Sequence, residues 1–561
     1  MNTGSTTQGA SAQTDRFVHQ RLPSDALLPR LVFEGPGLQF PAQLNLVQTL
    51  FARVEAQGLA GRPLLRSSHC TLSYAQAGAL VDRIGQVLID DLALLPGNRV
   101  LLRGGNSIGM ALVWLAVVKA GLIAVATMPL LRAKELAEVL DKARPVLALC
   151  DGRLLAELEL ARTDGCSLAR LLQFDGLDPT RPATDAAAAP DLSLLLAGKS
   201  GGFAGCPTAA TDIAMLAFTS GTTGRPKAAV HTHRDIMAAC ETWPRHVLRA
   251  TPDDIVIGSP PLAFTFGLGG LLIFPMWAGA SVYFPDVPYS PATMVRLMHD
   301  VGSTICYTAP TFYRQMAPLY AQAAAESGQA WQPRLRICVS AGEGLPDATR
   351  TLWRNATGIE MLDGIGATEM FHIFISSAGA EVRHGAIGKV VPGYSARVVD
   401  DVGAELPRGS IGRLAVVGPT GCKYLDDPRQ AQYVQHGWNY PGDAFTQDSD
   451  GYFHYQARAD DMIISAGYNI AGPEVEDALL KHPAVAECGV VGQPDEERGM
   501  IVKAYCVLRA GRHGDAATVK ALQDHVKATL APFKYPREIV FLDSLPRTET
   551  GKLQRFRLRR G

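Results

Sequence analysis

The sequence predicts an α/β fold with a large N-terminal domain and a small C-terminal domain. Apolar residues at 100–102 and 124–126 are typical of buried strands, and an apolar helical stretch lies between them at 110–120. This strand–helix–strand order favours a parallel sheet. At 561 residues, the chain is also too long for one compact core, so two or more domains are expected.

The pattern of short apolar strands continues through the middle of the chain. Further short apolar runs predict strands at 146–150, 255–257, 281–283, 305–307 and 337–339. A β-rich subdomain is expected over residues 387–417, because turn-forming proline and glycine recur there. The N-terminal domain is therefore expected to combine parallel sheets with a β-rich part.

The ends of the chain differ from its middle. Residues 1–20 are polar and lack an apolar segment, which predicts a disordered tail and no signal peptide. After residue 460, a helix at 473–481 and two strand candidates predict a small α+β unit. We therefore place the N-terminal domain at 21–459 and the C-terminal domain at 460–561.

The bulk composition indicates a globular enzyme. Hydrophobic residues make up 47% and charged residues 19%, and the formal net charge of −1 gives no basic field to attract nucleic acid. The ten cysteines contain no CxxC pair, which favours reduced thiols in a cytoplasm. The apolar stretch at 110–122 is too short to span a bilayer, so a buried helix over 109–120 and no membrane association are expected.

A loop rich in glycine and hydroxyl groups occupies residues 219–227. Its residues are Thr219, Ser220, Gly221, Thr222, Thr223, Gly224, Arg225, Pro226 and Lys227. Glycine lets backbone amides approach phosphate oxygens, hydroxyls donate hydrogen bonds, and Lys227 adds a positive charge. Composition alone also fits a flexible surface loop. It is not a Walker loop, because no GxxxxGK[ST] pattern is present.

The order of these residues resembles the phosphate loop of the adenylate-forming enzymes, which include acyl- and aryl-CoA ligases, luciferases and peptide-synthetase adenylation domains. One position departs from the family, because Ala228 follows the lysine where glycine is usual. The resemblance implies ATP binding by this loop and a small C-terminal domain that moves.

A second motif, at residues 363–369, supports the resemblance. Its glycines permit close approach to a flat ligand, and a terminal carboxylate suits Mg²⁺, which prefers oxygen ligands. The alternative, with no binding role, is a glycine-rich turn followed by an ordinary surface glutamate. The resemblance implies that Glu369 binds the metal, Thr368 contacts the α-phosphate and Asp363 accepts from the adenine amino group.

The same resemblance assigns the surroundings of the adenine. Gly364, Ile365 and Gly366 border the ring, and Ile365 stands where most relatives carry an aromatic residue, so an aliphatic contact is expected. The segment Ala341, Gly342, Glu343 and Gly344 matches the part of the family that lines the other side of the adenine and the substrate carboxylate.

Four further matches follow in family order. Asp443, a turn aspartate by composition, is implied to bind the ribose, with Arg458 as a second ribose or phosphate contact. Asp460 occupies the hinge position between the domains. Small residues in the loop after it would let a pantetheine arm pass. The residues implied to bind CoA there are Ala466, Gly467 and Tyr468.

Lys552 is the last match. A lysine beside glycine in a polar loop is by itself an ordinary solvated side chain. The resemblance implies instead that Lys552 bridges carboxylate and phosphate oxygens during adenylation.

The acid pocket is expected around Phe264, Thr265, Phe266 and Gly267. Phe264 matches the position of a gating residue in relatives. Two phenylalanines beside glycines make a flat apolar slot that suits an aromatic ring, although they would equally fit an ordinary core.

Residues 364–376, GIGATEMFHIFIS, are similar to the benzoate- and 2-aminobenzoate-CoA ligase branch. His372 would then lie near the pocket floor and bond an ortho amino or hydroxyl group; a satisfied core histidine is the alternative. His231 and His233 form an HxH pair, but no third ligand points to zinc.

The resemblance implies two reactions. An aromatic carboxylate attacks ATP to give an acyl-adenylate and pyrophosphate, and the CoA thiol then displaces AMP. The implied cofactors are ATP, Mg²⁺ and coenzyme A. Alternatives left open are transfer to an acyl carrier protein, a non-aromatic acid, a luciferase-like oxygenase and a non-enzymatic ATP-binding regulator. Association into a homodimer is also left open.

Overall fold

The computed structural model describes most of the chain. The described residues are 9–163, 165–178, 185–186, 189–219, 226–328, 331, 333–342, 344–458, 461–465, 468–495, 498–547 and 553–559, with only the backbone described at 185, 186, 464, 468, 469 and 532.

The largest sheet has nine strands. In order across the sheet they are Lys389–Val390, Ile373–Ser376, Met361–Gly366, Ile337–Ser340, Ile305–Thr308, Ile255–Gly258, Ser281–Tyr283, Pro63–Arg66 and Thr71–Ser73. The central strands pair in parallel, and the strands at both edges pair antiparallel. The central strands are almost entirely buried, as expected for a parallel sheet covered on both faces.

A second sheet has six strands. Its order is Lys227–Thr232, Ile213–Thr219, Ile123–Thr127, Arg99–Arg103, Leu147–Cys150 and Arg170–Gln173. All neighbours are parallel except the first pair, which forms a hairpin across the glycine-rich loop. The helix Ile108–Lys119 is buried on every face and starts at Ser107, whose hydroxyl accepts from Met110 N at 3.1 Å. The apolar run is thus a core helix, as predicted.

The β-rich part is an antiparallel sheet. Its strands are Ser395–Val399, Gly412–Val417, Val434–Gln435, Trp438–Asn439, Asp443–Gln447 and Phe453–Arg458. The last two strands form an antiparallel hairpin. The first residue of one strand, Asp443, pairs with the last residue of the other, Arg458.

The remaining strands belong to small sheets. They are the pair Asp185–Ala186 and Ala189–Pro190, the pair Ile463–Ser465 and Tyr468–Ile470, and the three-stranded sheet Val485–Asp495, Gly499–Leu508 and Glu538–Phe541. Two helices pack on the C-terminal sheet, and their residues Val475, Leu479 and Leu522 share a buried core with Val490 and Val502 of the sheet. This mixed architecture confirms the predicted α/β fold class. The exact hinge position stays a prediction, because Asp460 lies outside the described residues.

Helices cover the sheets. They are Leu46–Ala56, Tyr74–Gln86, Ile108–Lys119, Ala133–Ala143, Leu155–Ala161, Leu192–Leu195, His233–Glu241, Thr265–Leu268, Phe274–Ala278, Pro291–Asp300, Pro310–Ser327, Asp347–Thr357, Gln430–Tyr433, Gly472–Leu480, Ala516–Thr529 and Arg555–Leu558. Among the described residues, none of these helices combines the length and the apolar character needed to cross a membrane. All ten cysteines are free thiols.

The prediction of a disordered tail over residues 1–20 is wrong for residues 9–20. Gln13 is 3% exposed, and its side-chain amide bonds both the carbonyl (2.7 Å) and the N–H (3.1 Å) of Ile213. Val18 is also buried, in a core with Leu101. The polar composition misled the prediction, because these polar groups satisfy backbone groups of the neighbouring domain instead of water.

Side-chain bonds join the C-terminal part to the rest of the molecule. Arg314 donates to the carbonyls of Ala486 at 3.2 Å and Leu480 at 3.3 Å. The N–H of Ala348 donates to the Asp477 carboxylate at 3.1 Å. These bonds link the helices Pro310–Ser327 and Asp347–Thr357 to the unit after residue 461.

Candidate active site

A short turn places the predicted metal ligand at the edge of the large sheet. Residues Thr368–Met370 form a single 3₁₀ turn between the strands Met361–Gly366 and Ile373–Ser376. Glu369 is 8% exposed there. Gly366 is needed in this hairpin, because a Cβ at that position would lie 2.6 Å from the His372 carbonyl oxygen. The tight hairpin thus fixes where the Glu369 carboxylate emerges.

Lys227 and Glu369 lie side by side, although they are far apart in the sequence. Lys227 Nζ is 3.9 Å from Glu369 Oε1. Tyr424 bonds both of them, because its hydroxyl donates to Glu369 Oε1 and accepts from Lys227 Nζ at 3.0 Å. Burial and the nearby Glu369 carboxylate raise the pKa of Tyr424, so its phenol stays protonated and donates.

A second set of buried polar groups supports the turn from behind. His231 Nε2 donates to the Thr368 carbonyl at 2.8 Å, and Thr420 Oγ1 donates to the Met370 carbonyl at 2.9 Å. Burial lowers the pKa of His231 to about 4, so its ring is neutral at physiological pH. The turn that carries Glu369 is therefore held through its backbone at both ends.

A buried ion pair lies beside His231. Lys423 Nζ donates to Asp235 Oδ2 at 2.6 Å, and both side chains are at most 10% exposed. Burial by itself would raise the pKa of Asp235, but the Lys423 ammonium brings it below its usual value. We call Lys227, Tyr424, Glu369, His231 and the Asp235–Lys423 pair the polar cluster.

The HxH pair does not form a metal site. His231 points to Thr368, whereas His233 Nδ1 accepts from the N–H of Leu46 at 3.1 Å. Burial lowers the pKa of His233 to about 4. Over the described parts of the chain, no group of three or more histidine, cysteine, aspartate or glutamate residues is arranged to hold a metal ion.

Asp363 lies inside the strand Met361–Gly366, where its parallel pairing with Ile337–Ser340 ends, and is 3% exposed. Its Oδ1 accepts from the N–H of Gly364 at 2.8 Å, and Arg350 approaches Oδ2 at 3.7 Å. Burial raises its pKa to about 7, against the opposing effect of Arg350. A Cβ at Gly364 would lie 2.7 Å from Ile373, so the hairpin requires glycine there.

The predicted ribose residues lie opposite each other in one hairpin. Arg458 Nη1 is 3.5 Å from Asp443 Oδ1 and donates to the Pro441 carbonyl at 2.9 Å. Gly442 has a φ of 89°, and a Cβ there would lie 2.6 Å from Arg458 Nη2. This turn therefore requires glycine and fixes the Asp443 carboxylate beside a guanidinium.

His372 lies in an apolar environment. Its ring is 4.5 Å from Phe274, 5.1 Å from Trp243 and 5.7 Å from Phe266, measured between centroids. Tyr307 packs against Phe266 at 5.7 Å. We call Trp243, Phe266, Phe274, Tyr307 and His372 the aromatic cluster.

Several polar atoms of the aromatic cluster have no partner among the residues that the structure describes. Neither ring nitrogen of His372 has a hydrogen-bond partner of normal geometry among the described residues, and the same holds for the Tyr307 hydroxyl and Trp243 Nε1. Burial lowers the pKa of His372 to about 3, so its imidazole is neutral. A buried neutral imidazole without a partner is costly unless a ligand group supplies one.

The structure brings only part of the predicted acid pocket together. Phe266 and His372 are in contact, and Thr265 is buried at the start of the helix Thr265–Leu268. Gly267 is packed against the Pro260 and Pro261 carbonyls, where a side chain would collide. Phe264 is only half-buried. Ala341 is buried, with 6% of its surface exposed.

Several predicted site residues lie outside the described part of the chain. They are Ser220, Gly221, Thr222, Thr223, Gly224, Glu343, Asp460, Ala466, Gly467 and Lys552. Thr219 and Lys227 flank the loop and pair across the hairpin. Tyr468 is described only as part of the strand Tyr468–Ile470, and Gly342 has a φ of 96°.

Sequence reasoning missed Tyr424, the supporting role of His231, and the aromatic residues Trp243 and Phe274. The HxH pattern drew attention to His231, but for a different reason. Tyr424 has no local signal, because it lies 55 positions from Glu369 in the sequence. Only the fold brings these residues together.

The fold, a large α/β part followed by a small C-terminal sheet, is that of adenylate-forming enzymes. A family model for AMP-binding enzymes matches residues 52–423, and a model for the C-terminal domain of AMP-binding enzymes matches residues 474–552.

Similar proteins share nearly the whole chain. Benzoate–CoA ligase from Thauera aromatica is 34% identical over 93% of this chain and 97% of its own length. A 4-hydroxybenzoate–CoA/benzoate–CoA ligase from Rhodopseudomonas palustris is 32% identical, with coverage of 90% and 92%.

A solved structure agrees with these relatives. The anthranilate CoA ligase AuaEII in complex with anthranoyl-AMP superposes with a TM-score of 0.85 at 32% identity, covering 93% of this chain and 98% of the other. The chain belongs to the AMP-binding enzyme family. This confirms the predicted resemblance to the adenylate-forming ligases and to their benzoate and 2-aminobenzoate branch.

Proposed function

We propose that this enzyme, an AMP-forming acid–thiol ligase, activates an aromatic carboxylic acid with ATP and transfers the acyl group to CoA. The main support for the proposal is that two side chains near one turn lie in different environments, one polar and one aromatic. Glu369, in the polar cluster, and His372, in the aromatic cluster, are three residues apart. A polyphosphate and an apolar ring could therefore be bound next to each other.

The first reaction must bring two anions together. A carboxylate oxygen of the acid attacks the α-phosphorus of ATP, and the bond from that phosphorus to pyrophosphate breaks. The acid is already ionised, so no protein base is needed. Repulsion between the anions is strong in a dry site. Lys227, Thr368 and Lys552 would offset it by binding phosphate and carboxylate oxygens as charge spreads over the α-phosphate.

The chemistry of the site fits Mg²⁺ bound together with ATP. Mg²⁺ commonly takes one or two carboxylates plus phosphate oxygens and waters rather than an all-protein site. Glu369 offers one carboxylate oriented by Tyr424, and no multi-residue metal cluster exists among the described residues. When bound, the ion would neutralise phosphate charge.

The adenosine would lie along the glycine-rich strand end and the β-rich hairpin. Asp363 would face the adenine amino group, with Gly364, Ile365, Gly366 and Gly342 beside the ring. Asp443 would accept both ribose hydroxyls, next to Arg458. The support for this assignment is position. Asp363 stands where the parallel pairing of its strand ends, Gly366 ends that strand, and Asp443 pairs with Arg458 across a hairpin.

The second reaction needs a different face of the C-terminal domain. We propose that Asp460 is the hinge and that Lys552 leaves after adenylation. The loop with Ala466, Gly467 and Tyr468 then approaches with CoA, whose sulfur attacks the acyl carbon and expels AMP. Such domain closure is a common gating motion.

The acid is proposed to be benzoate-like, and an ortho amino or hydroxyl group would meet His372. The support is a neutral imidazole inside an aromatic cluster, which has no hydrogen-bond partner of normal geometry among the described residues. The relatives named above act on benzoate and hydroxybenzoate, and the solved neighbour holds anthranoyl-AMP.

We also propose a cytoplasmic location, supported by the ten free thiols. Association into a homodimer is left to be measured by light scattering.

The test is ATP–pyrophosphate exchange with a panel of acids. The panel contains benzoate, 2-aminobenzoate, 2-hydroxybenzoate, cyclohexanecarboxylate and medium-chain fatty acids. Exchange should be fastest with the three aromatic acids, and exchange only with fatty acids would overturn the proposal. Adding CoA or a phosphopantetheinylated carrier protein to the adenylate complex then decides between the two acyl acceptors.

A further inference from the structure

The Tyr424 hydroxyl occupies the point where the phosphate-loop lysine and the glutamate of the Thr368–Met370 turn meet. It donates to Glu369 Oε1 and accepts from Lys227 Nζ at 3.0 Å. Tyr424 is 1% exposed, so water does not compete for these bonds. One phenol therefore connects the two charged side chains.

The backbone around Tyr424 is fixed on the same strand that carries Lys227. Val230 N donates to the Lys423 carbonyl at 2.8 Å, and Leu425 N donates to the Ala228 carbonyl at 2.9 Å. Residues on both sides of Tyr424 are thus bonded to the strand Lys227–Thr232. The distance between the phenol and Lys227 is set by the main chain and does not depend on long flexible side chains alone.

A side-chain clamp holds the tyrosine from the other side. Gln430 Oε1 accepts from Tyr424 N at 2.9 Å, while Gln430 Nε2 donates to the Cys422 carbonyl at 3.0 Å and the Leu27 carbonyl at 2.9 Å. The Tyr433 ring packs edge-on against Tyr424 with centroids 5.8 Å apart. The phenol has little freedom to move.

The bonding pattern makes the two oxygens of Glu369 unequal. Both the Tyr424 bond and the approach of Lys227 use Oε1. Within the described parts of the chain, Oε2 has no hydrogen-bond partner. The carboxylate is therefore presented with one oxygen fixed by protein and the other available to a cation.

We infer that Tyr424 is a positioning residue, which orients Glu369 so that Oε2 meets the metal of the metal–nucleotide complex and keeps Lys227 at the phosphates beside it. The inference rests on the proposed roles of Glu369 and Lys227. Groups that orient a metal ligand through a hydrogen bond commonly change metal affinity or activity by about 10–100-fold when removed.

The test compares Tyr424→Phe with Tyr433→Phe. The first substitution deletes only the bridging hydroxyl. The second deletes the hydroxyl of the adjacent buried tyrosine, which has no hydrogen-bond partner among the described residues. Mn²⁺ binding is measured by electron paramagnetic resonance with α,β-methylene-ATP, which does not turn over, and thermal melting confirms folding.

Tyr424→Phe should weaken Mn²⁺ binding by about 10-fold and raise the Mg²⁺ concentration for half-maximal pyrophosphate exchange, while the KM for the acid stays unchanged. Tyr433→Phe should bind Mn²⁺ like the unaltered protein. Unchanged Mn²⁺ binding in a folded Tyr424→Phe protein would overturn the inference.

Glu369→Gln separates this inference from the proposed function. If Glu369→Gln weakens Mn²⁺ binding and Tyr424→Phe does not, Glu369 keeps its role and only the inference fails. If Glu369→Gln has no effect, the proposed metal ligand is wrong. In the double variant, the loss should be smaller than the sum of the two single losses, because the phenol acts in part through the carboxylate; additive losses would contradict this.

Discussion

The polar cluster and the aromatic cluster differ in how their buried polar groups are bonded. Around Glu369, hydroxyl, ammonium and imidazole groups bond one another or backbone carbonyls, although His231 Nδ1 and Asp235 Oδ1 have no partner among the described residues. Around His372, both ring nitrogens and the Tyr307 hydroxyl have no hydrogen-bond partner of normal geometry in the described part of the chain. A largely bonded network is rigid before a ligand arrives, whereas groups without a partner can gain one from a ligand. We therefore propose that the polar cluster binds the nucleotide, which is the same for every substrate, and that the aromatic cluster selects the acid.

Phe371 separates the two clusters. It has a φ of 72° and a ψ of −46°, close to a γ-turn that a bulky residue rarely adopts. Such a conformation costs about 1–3 kcal/mol and persists only when packing enforces it. The ring lies 5.4 Å from His231 on one side and 6.4 Å from Phe274 on the other. The strained turn therefore directs neighbouring side chains into different environments.

The largest effect is expected from removing a positive charge at the proposed nucleotide site. Lys552→Ala should slow adenylation by at least about 10²-fold, because one charge-stabilising donor is lost. Thioester formation from supplied acyl-adenylate should change far less. Stopped-flow measurements of the two half-reactions check this. Lys520→Ala is the matched control, since Lys520 forms an exposed pair with Asp524 on a helix of the same domain. Equal losses in both half-reactions would contradict the division of labour.

A steric change at Gly270 should affect the proposed acid site and leave ATP binding unchanged. A Cβ at Gly270 would lie 2.6 Å from Cε1 of Tyr307, whose ring is fully buried. Gly270→Ala should therefore cost about 1–3 kcal/mol of folding free energy and raise the KM for the acid while the KM for ATP is retained.

Urea unfolding and steady-state kinetics test this prediction. Gly61→Ala is the control, because no atom lies within 4 Å of a Cβ placed there. A rise in the KM for ATP equal to that for the acid would show that the two clusters are not separate.

His372→Phe should reduce discrimination between 2-aminobenzoate and benzoate by about 10-fold, the loss of roughly one hydrogen bond. Competition assays measure the ratio of kcat/KM. In the unaltered enzyme the ratio should be constant from pH 5 to pH 8, because burial lowers the pKa of His372 to about 3 and the ring stays neutral. His513→Phe on the exposed surface is the control. An unchanged ratio would identify His372 as an ordinary core residue.

A pH-dependent effect on stability is expected at Asp363. Burial raises its pKa to about 7 from an ordinary value of 3.8. Between these values, the unfolded chain releases a proton that the folded protein keeps, so the stability that this group contributes falls as pH rises. Asp363→Asn removes the dependence. Its melting temperature relative to the unaltered protein should therefore increase from pH 4 to pH 7 and level off above.

Differential scanning fluorimetry across that pH range measures the difference. Asp524→Asn is the control, because the pKa of that exposed carboxylate is lowered by the bond to Lys520. A difference for Asp363→Asn that is constant with pH would show that the carboxyl titrates normally.

Local patterns in the sequence were sufficient for the strands and for the central motifs. The apolar runs at 305–307 and 337–339 became adjacent parallel strands, because uninterrupted hydrophobic segments can only be buried on both faces. Glu369 was recognised because its motif is contiguous.

Other features depend on contacts between distant segments. Tyr424 meets Glu369 only after two sheets have packed, and nothing in its neighbours signals this. Gln13 appeared to belong to a solvated tail because its composition is polar, yet its amide completes the bonding of Ile213. Polar residues that satisfy remote backbone groups leave no periodic pattern in the sequence.

The strained turn at Phe371 bears on how such an enzyme can evolve to accept a new acid. Because the chain reverses between Glu369 and His372, substitutions around the proposed acid pocket can accumulate without moving the Glu369 carboxylate. Laboratory evolution toward a new acid should therefore tolerate exchanges at Phe274, Tyr307 and His372, and should keep Phe371 itself.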